Sequence, residues 1–159
     1  MYERRVRLLS GQPPTLLQIE AANAYARVTS FTNRVWITEQ TANILHLRTP
    51  SIARSLLIDC RSFQKGRYLR RWARRLRNFG FSPEDAVIVA YGSFGVSDDL
   101  TQIGADAIVT TDLKLAVRYS ESFGVIERRF QDMVSSLSTA YTSLTLPRVL
   151  TTTDVLTKF

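Results

Sequence analysis

The chain is poor in the residues that hold soft metals. It has one cysteine, Cys60, and one histidine, His46. A single cysteine excludes an internal disulfide and any multi-cysteine metal site. A single histidine argues against a zinc centre built on imidazoles. Any metal bound here is held by carboxylates, which points to magnesium or manganese. Aspartate is also missing from the whole first third: none occurs before Asp59. No apolar run approaches the roughly 18 to 20 residues that span a bilayer, so no membrane association is expected. The N-terminal MYERRVRLLSGQPP lacks an apolar export core, and a cytoplasmic location is the expectation. No stretch is rich in Gly, Ser or Pro, so nothing marks a linker. Gly92-Ser93-Phe94-Gly95 lacks both the dinucleotide spacing and the phosphate-loop lysine.

What is present fits an ordinary globular chain. Its 159 residues suit one domain, residues 1–159, with 45% hydrophobic and 22% charged residues. The formal net charge is +7, which raises the odds of a polyanionic partner.

Hydrophobic periodicity and punctuation place the elements. Arg5–Leu9 reads as a first strand, ended by Ser10-Gly11-Gln12-Pro13-Pro14. Thr15 to about Ala26 reads as a helix, with Leu16, Ile19, Ala22 and Ala26 on its apolar side. Asn33–Thr38 is a second strand, and Thr38-Glu39-Gln40 opens a helix through Leu47. Thr49-Pro50-Ser51 breaks it, and a helix over Ile52–Phe63 follows. Arg67–Phe79 is a further helix, stopped at Gly80. Ser82-Pro83-Glu84-Asp85 is a helix start, and Ala86–Tyr91 is too continuously apolar for an exposed helix. Ala107–Val109 is a buried strand, and Leu113–Tyr119 a helix. Phe123-Gly124 breaks the chain before another helix over Glu127–Ala140. Leu146–Leu150 is a late edge strand, and Thr151–Asp154 caps a short terminal helix. Strands alternating with helices predict an α/β fold with a mostly parallel central sheet flanked by helices.

Two constellations carry chemistry. The first is basic. Arg67, Arg70, Arg71, Arg74, Arg75 and Arg77 share one helix and fall within roughly 160° of its circumference. Lys65 extends the patch, and no glutamate interrupts it. Guanidinium forks bind phosphate bidentately, so this face suits nucleic acid; an acidic protein partner or plain solvation is the competing occupant. Trp72, Tyr68 and Phe79 lie on the opposite side, so base stacking on this helix is not supported. The second is acidic: Asp85 at a helix start and Asp112 at the end of a buried strand, where open α/β sheets place ligands. Each also suits plain helix capping.

Asp85-Ala86, Gly104-Ala105-Asp106 and Val109-Thr110-Thr111-Asp112 together resemble the second half of a PIN domain. PIN domains are metal-dependent ribonucleases, many of toxin type, and often homodimers. The resemblance implies that Asp85 and Asp112 are catalytic metal ligands for magnesium or manganese, with Thr110 a hydroxyl beside them and RNA as substrate. It also implies an aspartate ending the first strand and a glutamate in the helix after the second. Ser10 stands near the first position, Asn43 near the other, and Glu39 lies one turn early. Glu39 or Asn43 would complete the site. Two carboxylates and an amide make a weak magnesium site, so the acidic site reads as degraded. The alternative is an inactive PIN-like module that binds nucleic acid or protein. Asp154 or the Asp98-Asp99 pair is the alternative source of a ligand, and Asp98-Asp99 also reads as a solvated loop. His46 reads as a structural histidine and Cys60 as a buried small hydrophobe.

Overall fold

The computed structural model describes residues 7, 11–32, 34–48 and 60–158. The predicted strand Arg5–Leu9, apart from Arg7, lies outside them, as do the Thr49-Pro50-Ser51 break, Ile52–Asp59 and the side chain of His46. The protein is mixed α/β, with helices and small sheets. Its packing forms two compact units, Met1–Phe63 with Thr151–Phe159, and Gln64–Leu150.

In the first unit, α1 spans Leu16–Phe31. Thr15 and Gln18 close it with a reciprocal capping box: Thr15 Oγ1 accepts from Gln18 N at 3.3 Å, and Gln18 Oε1 from Thr15 N at 3.0 Å. Its buried residues are Ala22 and Ala24. Leu16, 81% exposed, and Ala26 face solvent, against the expected stripe. The partner that selects the buried side is α6 (Thr152–Lys158), supplied from the far end of the chain. Strand β1 (Val35–Thr38) leads into α2 (Glu39–Arg48), with Thr38 Oγ1 accepting from Thr41 N at 3.1 Å.

The expected helix over Ile52–Phe63 is corrected at its end. Cys60–Lys65 is a strand, β2, and Cys60–Phe63 pairs in parallel with β1, Val35 opposite Cys60 and Thr38 opposite Phe63. Trp36 stacks on Phe63 at 5.1 Å, and Arg61 lies over the Trp36 ring at 5.8 Å. These cross-strand contacts outweigh the local helical signal. Cys60 is half-buried rather than buried, its sulfur 3.5 Å from the Tyr25 hydroxyl.

In the second unit, Gln64 and Lys65 pair antiparallel with β3 (Gly95–Val96). Helix α3 covers Leu69–Arg77, shorter than the expected Arg67–Phe79, so Arg67 precedes it. A side chain at Gly66 would clash with the Phe94 carbonyl oxygen, which fixes how the chain enters α3. Leu69, Trp72, Ala73 and Leu76 are buried, one stripe at helical spacing. Helix α4 (Pro83–Phe94) starts where Ser82 Oγ accepts from Asp85 N at 3.1 Å, with Pro83 in its first turn. Its end is buried all round, which is why the sequence run is continuously apolar.

Strand β4 (Ala107–Thr110) pairs with β5 (Arg148–Thr151) and packs against α4 and α5. Helix α5 runs unbroken over Leu113–Ser135, correcting both the expected break at Phe123-Gly124 and the helix end at Ala140. Gly124 costs about 1 kcal/mol relative to alanine in a helix. The burial of Tyr119, Ile126, Phe130 and Met133 on either side outweighs it. Thr139–Tyr141 is a separate turn of 3-10 helix. Trp72, Phe94 and Phe130 meet in an aromatic cluster, Phe130 lying 5.3 Å from Trp72 and 5.5 Å from Phe94. Among the described residues, no helix is long and apolar enough to cross a membrane.

Candidate nucleic-acid interface

The buried stripe of α3 turns its arginines outward. Arg67, Arg70, Arg71, Arg74 and Arg77 are exposed and Arg75 is half-buried. No carboxylate of a described residue pairs with any of them. Arg67 lies over the Tyr68 ring at 5.4 Å. The Arg75 guanidinium is pushed below its ordinary value by partial desolvation first, then by Arg129 and Arg71, with Asp132 opposing. Arg129 belongs to α5, so the positive field extends beyond α3. Sequence inspection did not join these two helices, although Arg128-Arg129 stands in the sequence as an adjacent basic pair. Trp72 is buried, and Tyr68 packs edge-on against Tyr141 at 4.9 Å. Neither ring is offered to a base along the helix.

The carboxylates are arranged differently. Asp112 caps α5: its Oδ1 accepts from Lys114 N at 2.8 Å and Leu115 N at 3.3 Å. Thr110 Oγ1 accepts from Asp112 N at 3.0 Å, so its hydroxyl shapes the turn that presents the aspartate. Asp85 sits half-buried in the first turn of α4. Glu39 and Asn43 are exposed on α2. Among the described residues, no three of His, Cys, Asp and Glu come together as a metal-binding group. Asp85 and Asp112 are the described carboxylates left as candidates for a magnesium or manganese ion, and Asp112 is engaged as a helix cap.

Asp98, Asp99 and Asp154 are engaged in other contacts. Asp98 Oδ1 accepts from Gln64 Nε2 at 3.0 Å, and Asp99 accepts from Ser97 Oγ and Thr101 N. The Ser97 hydroxyl first, then Thr101, hold the Asp99 carboxyl below its ordinary value. Asp154 accepts from Thr151 N and Oγ1 at 3.0 and 2.7 Å and pairs with Lys158 at 3.1 Å. Those hydrogen bonds, Thr151 foremost, hold it down to about 2.

No family model, curated protein or solved structure matches the chain.

Proposed function

We propose that this protein binds nucleic acid through the arginine face of α3. The observation that carries the reading is six arginines on and just before α3, five of them exposed, with no carboxylate of a described residue paired to them. Like charges one turn apart cost a few tenths of a kcal/mol each, and a phosphate backbone removes that cost. Bidentate guanidinium–phosphate bonds supply affinity without base specificity. The test is fluorescence anisotropy with single-stranded oligonucleotides over a salt series. With three or four phosphates engaged, log affinity falls against log salt with a slope of about −2 to −3. A flat salt dependence, or no binding at low salt, sinks the reading. An acidic protein partner is the occupant to try in that event.

A second reading rests on the Thr110–Asp112 turn. Asp112 follows β4 as the cap of α5, β4 packs against α4, and the first turn of α4 carries Asp85. On the PIN-like interpretation of this α/β arrangement, those two carboxylates belong to a magnesium- or manganese-dependent ribonuclease. Calorimetry with manganese on the intact protein and on Asp112→Asn tests it. Asparagine caps a helix as well as aspartate does, so the variant keeps the fold and removes only the charge. Saturable binding lost in the variant supports the nuclease. Equal or absent binding leaves the protein as a binding module.

A further inference from the structure

A hollow of about 610 Å³ opens in the second unit between the loop Leu100–Gly104 and the segment Ala140–Thr145. It is open to solvent rather than enclosed, with more polar than apolar wall. Tyr141 lines it and packs on Tyr68, the residue immediately before α3.

The walls are rich in acceptors and hold no cation. Thr101 and Ser143 bring hydroxyls, Asp106 a carboxylate, Gln102 an amide, and Tyr141 a ring. That chemistry does not suit phosphate. It suits a flat heterocycle carrying N–H donors. The loop is set in advance: Ser97 N donates to Thr101 O at 3.0 Å, Leu100 N donates to Ser97 O at 2.9 Å, and Asp99 accepts from Thr101 N at 3.2 Å. Leu100 is held at φ 63°, a conformation that leucine rarely adopts. Gly104 has φ 53°, and a Cβ there would stand 3.0 Å from Leu144 Cδ2, so glycine keeps the hollow's wall in place. Gln102 Oε1 is buried with no hydrogen-bond partner among the described residues. An unmet buried acceptor is costly, and turning the amide toward a ligand's N–H removes that cost.

We propose that this hollow takes an unstacked base of single-stranded nucleic acid whose phosphates lie along α3. The proposal rests on the phosphate-binding reading above and adds a second kind of contact to it. The helix grips the backbone, and the hollow next to Tyr68 receives a base.

Three probes separate the two contacts. Adenosine, cytidine and uridine carry no phosphate and test the hollow alone, by amide chemical shifts. Shifts at Gln102, Gly104 and Ser143 without shifts along α3 are expected. An abasic octamer tests α3 alone. Base-bearing octamers, in ribo and deoxy form, test both and tell RNA from DNA. The abasic octamer binds about tenfold more weakly than the better base-bearing one. Ser143→Phe fills the hollow from an exposed position and brings base-bearing octamers down to the abasic level, leaving abasic binding unchanged. Gln102→Leu acts in the same direction. Equal affinity for base-bearing and abasic octamers, with no effect of Ser143→Phe, overturns the proposal. If no octamer binds, the reading of α3 fails, and the nucleoside spectra decide the hollow alone. Localised shifts there keep it as a base site, and unmoved spectra overturn it.

Discussion

Helices α3 and α5 share one core contact, Trp72 against Phe130, yet their exposed faces differ. The exposed side of α5 mixes signs: Lys114, Arg118, Glu121, Glu127, Arg128, Arg129 and Asp132. That is how a solvated helix keeps its charges in balance. α3 carries arginine after arginine and no acid. Its stability comes from four buried residues in nine, and the repulsion on its outer side is tolerated. The lesson is that burial fixes where a helix lies, while the charge left outside reports what the helix meets.

The largest effect tests the shared foundation. Trp72→Ala and Phe130→Ala should each cost about 3–5 kcal/mol in urea melts, because each empties the same cluster. Trp72→Phe should cost clearly less. It keeps a ring and removes an indole N–H that has no partner among the described residues. If Trp72→Ala left the midpoint unmoved, burial would not be what holds α3.

Charge reversal then separates the outer faces. Arg70→Glu with Arg74→Glu should weaken oligonucleotide binding about 100-fold, with two charge-assisted contacts removed. Arg118→Glu with Arg128→Glu changes net charge equally but sits among mixed signs on α5, and should cost several-fold less. Equal losses would mean that binding reads net charge alone.

How far the sequence carries depends on how local the deciding contact is. The α3 face was legible because both stripes lie within nine residues, at one helical period. The helix starts at Ser82-Pro83 and Asp112 were legible because a cap reaches only two or three residues. Cys60–Phe63 was misread as helix because its strand partner, β1, is distant in sequence. The exposed side of α1 was misread because the chain's last helix selects it. The acidic residues were visible as candidates, but whether carboxylates converge is a matter of tertiary placement. The hollow was invisible for the same reason: two loops distant in sequence build it.

Smaller effects sharpen the account of α5. The Tyr119 hydroxyl donates to Pro147 O at 2.6 Å. Burial first, then Glu127, pushes its pKa well above the ordinary tyrosine value. The folded state thus favours the neutral phenol. That stability is fully present below pH of about 10, and falls above it as the unfolded chain ionises first. Tyr119→Phe should cost about 1–2 kcal/mol at neutral pH and flatten the alkaline limb of the stability profile. Asp112→Ala should cost about 1 kcal/mol through two lost amide bonds, and Asp112→Asn much less.

Gly124→Ala should have the smallest effect and the opposite sign. Glycine in a helix interior is less favourable than alanine by about 0.5–1 kcal/mol, because the unfolded chain loses more freedom. A Cβ at Gly124 meets no atom within 4 Å, so the added methyl brings no clash to offset that gain. The variant should therefore melt a few degrees higher, or at a slightly higher urea midpoint with an unchanged slope. Because this position is open on the mixed-charge helix, the substitution should leave oligonucleotide binding untouched. A stabilised variant that lost binding would show that α5 itself contacts the ligand there, and the contrast between the two helices would have to be withdrawn.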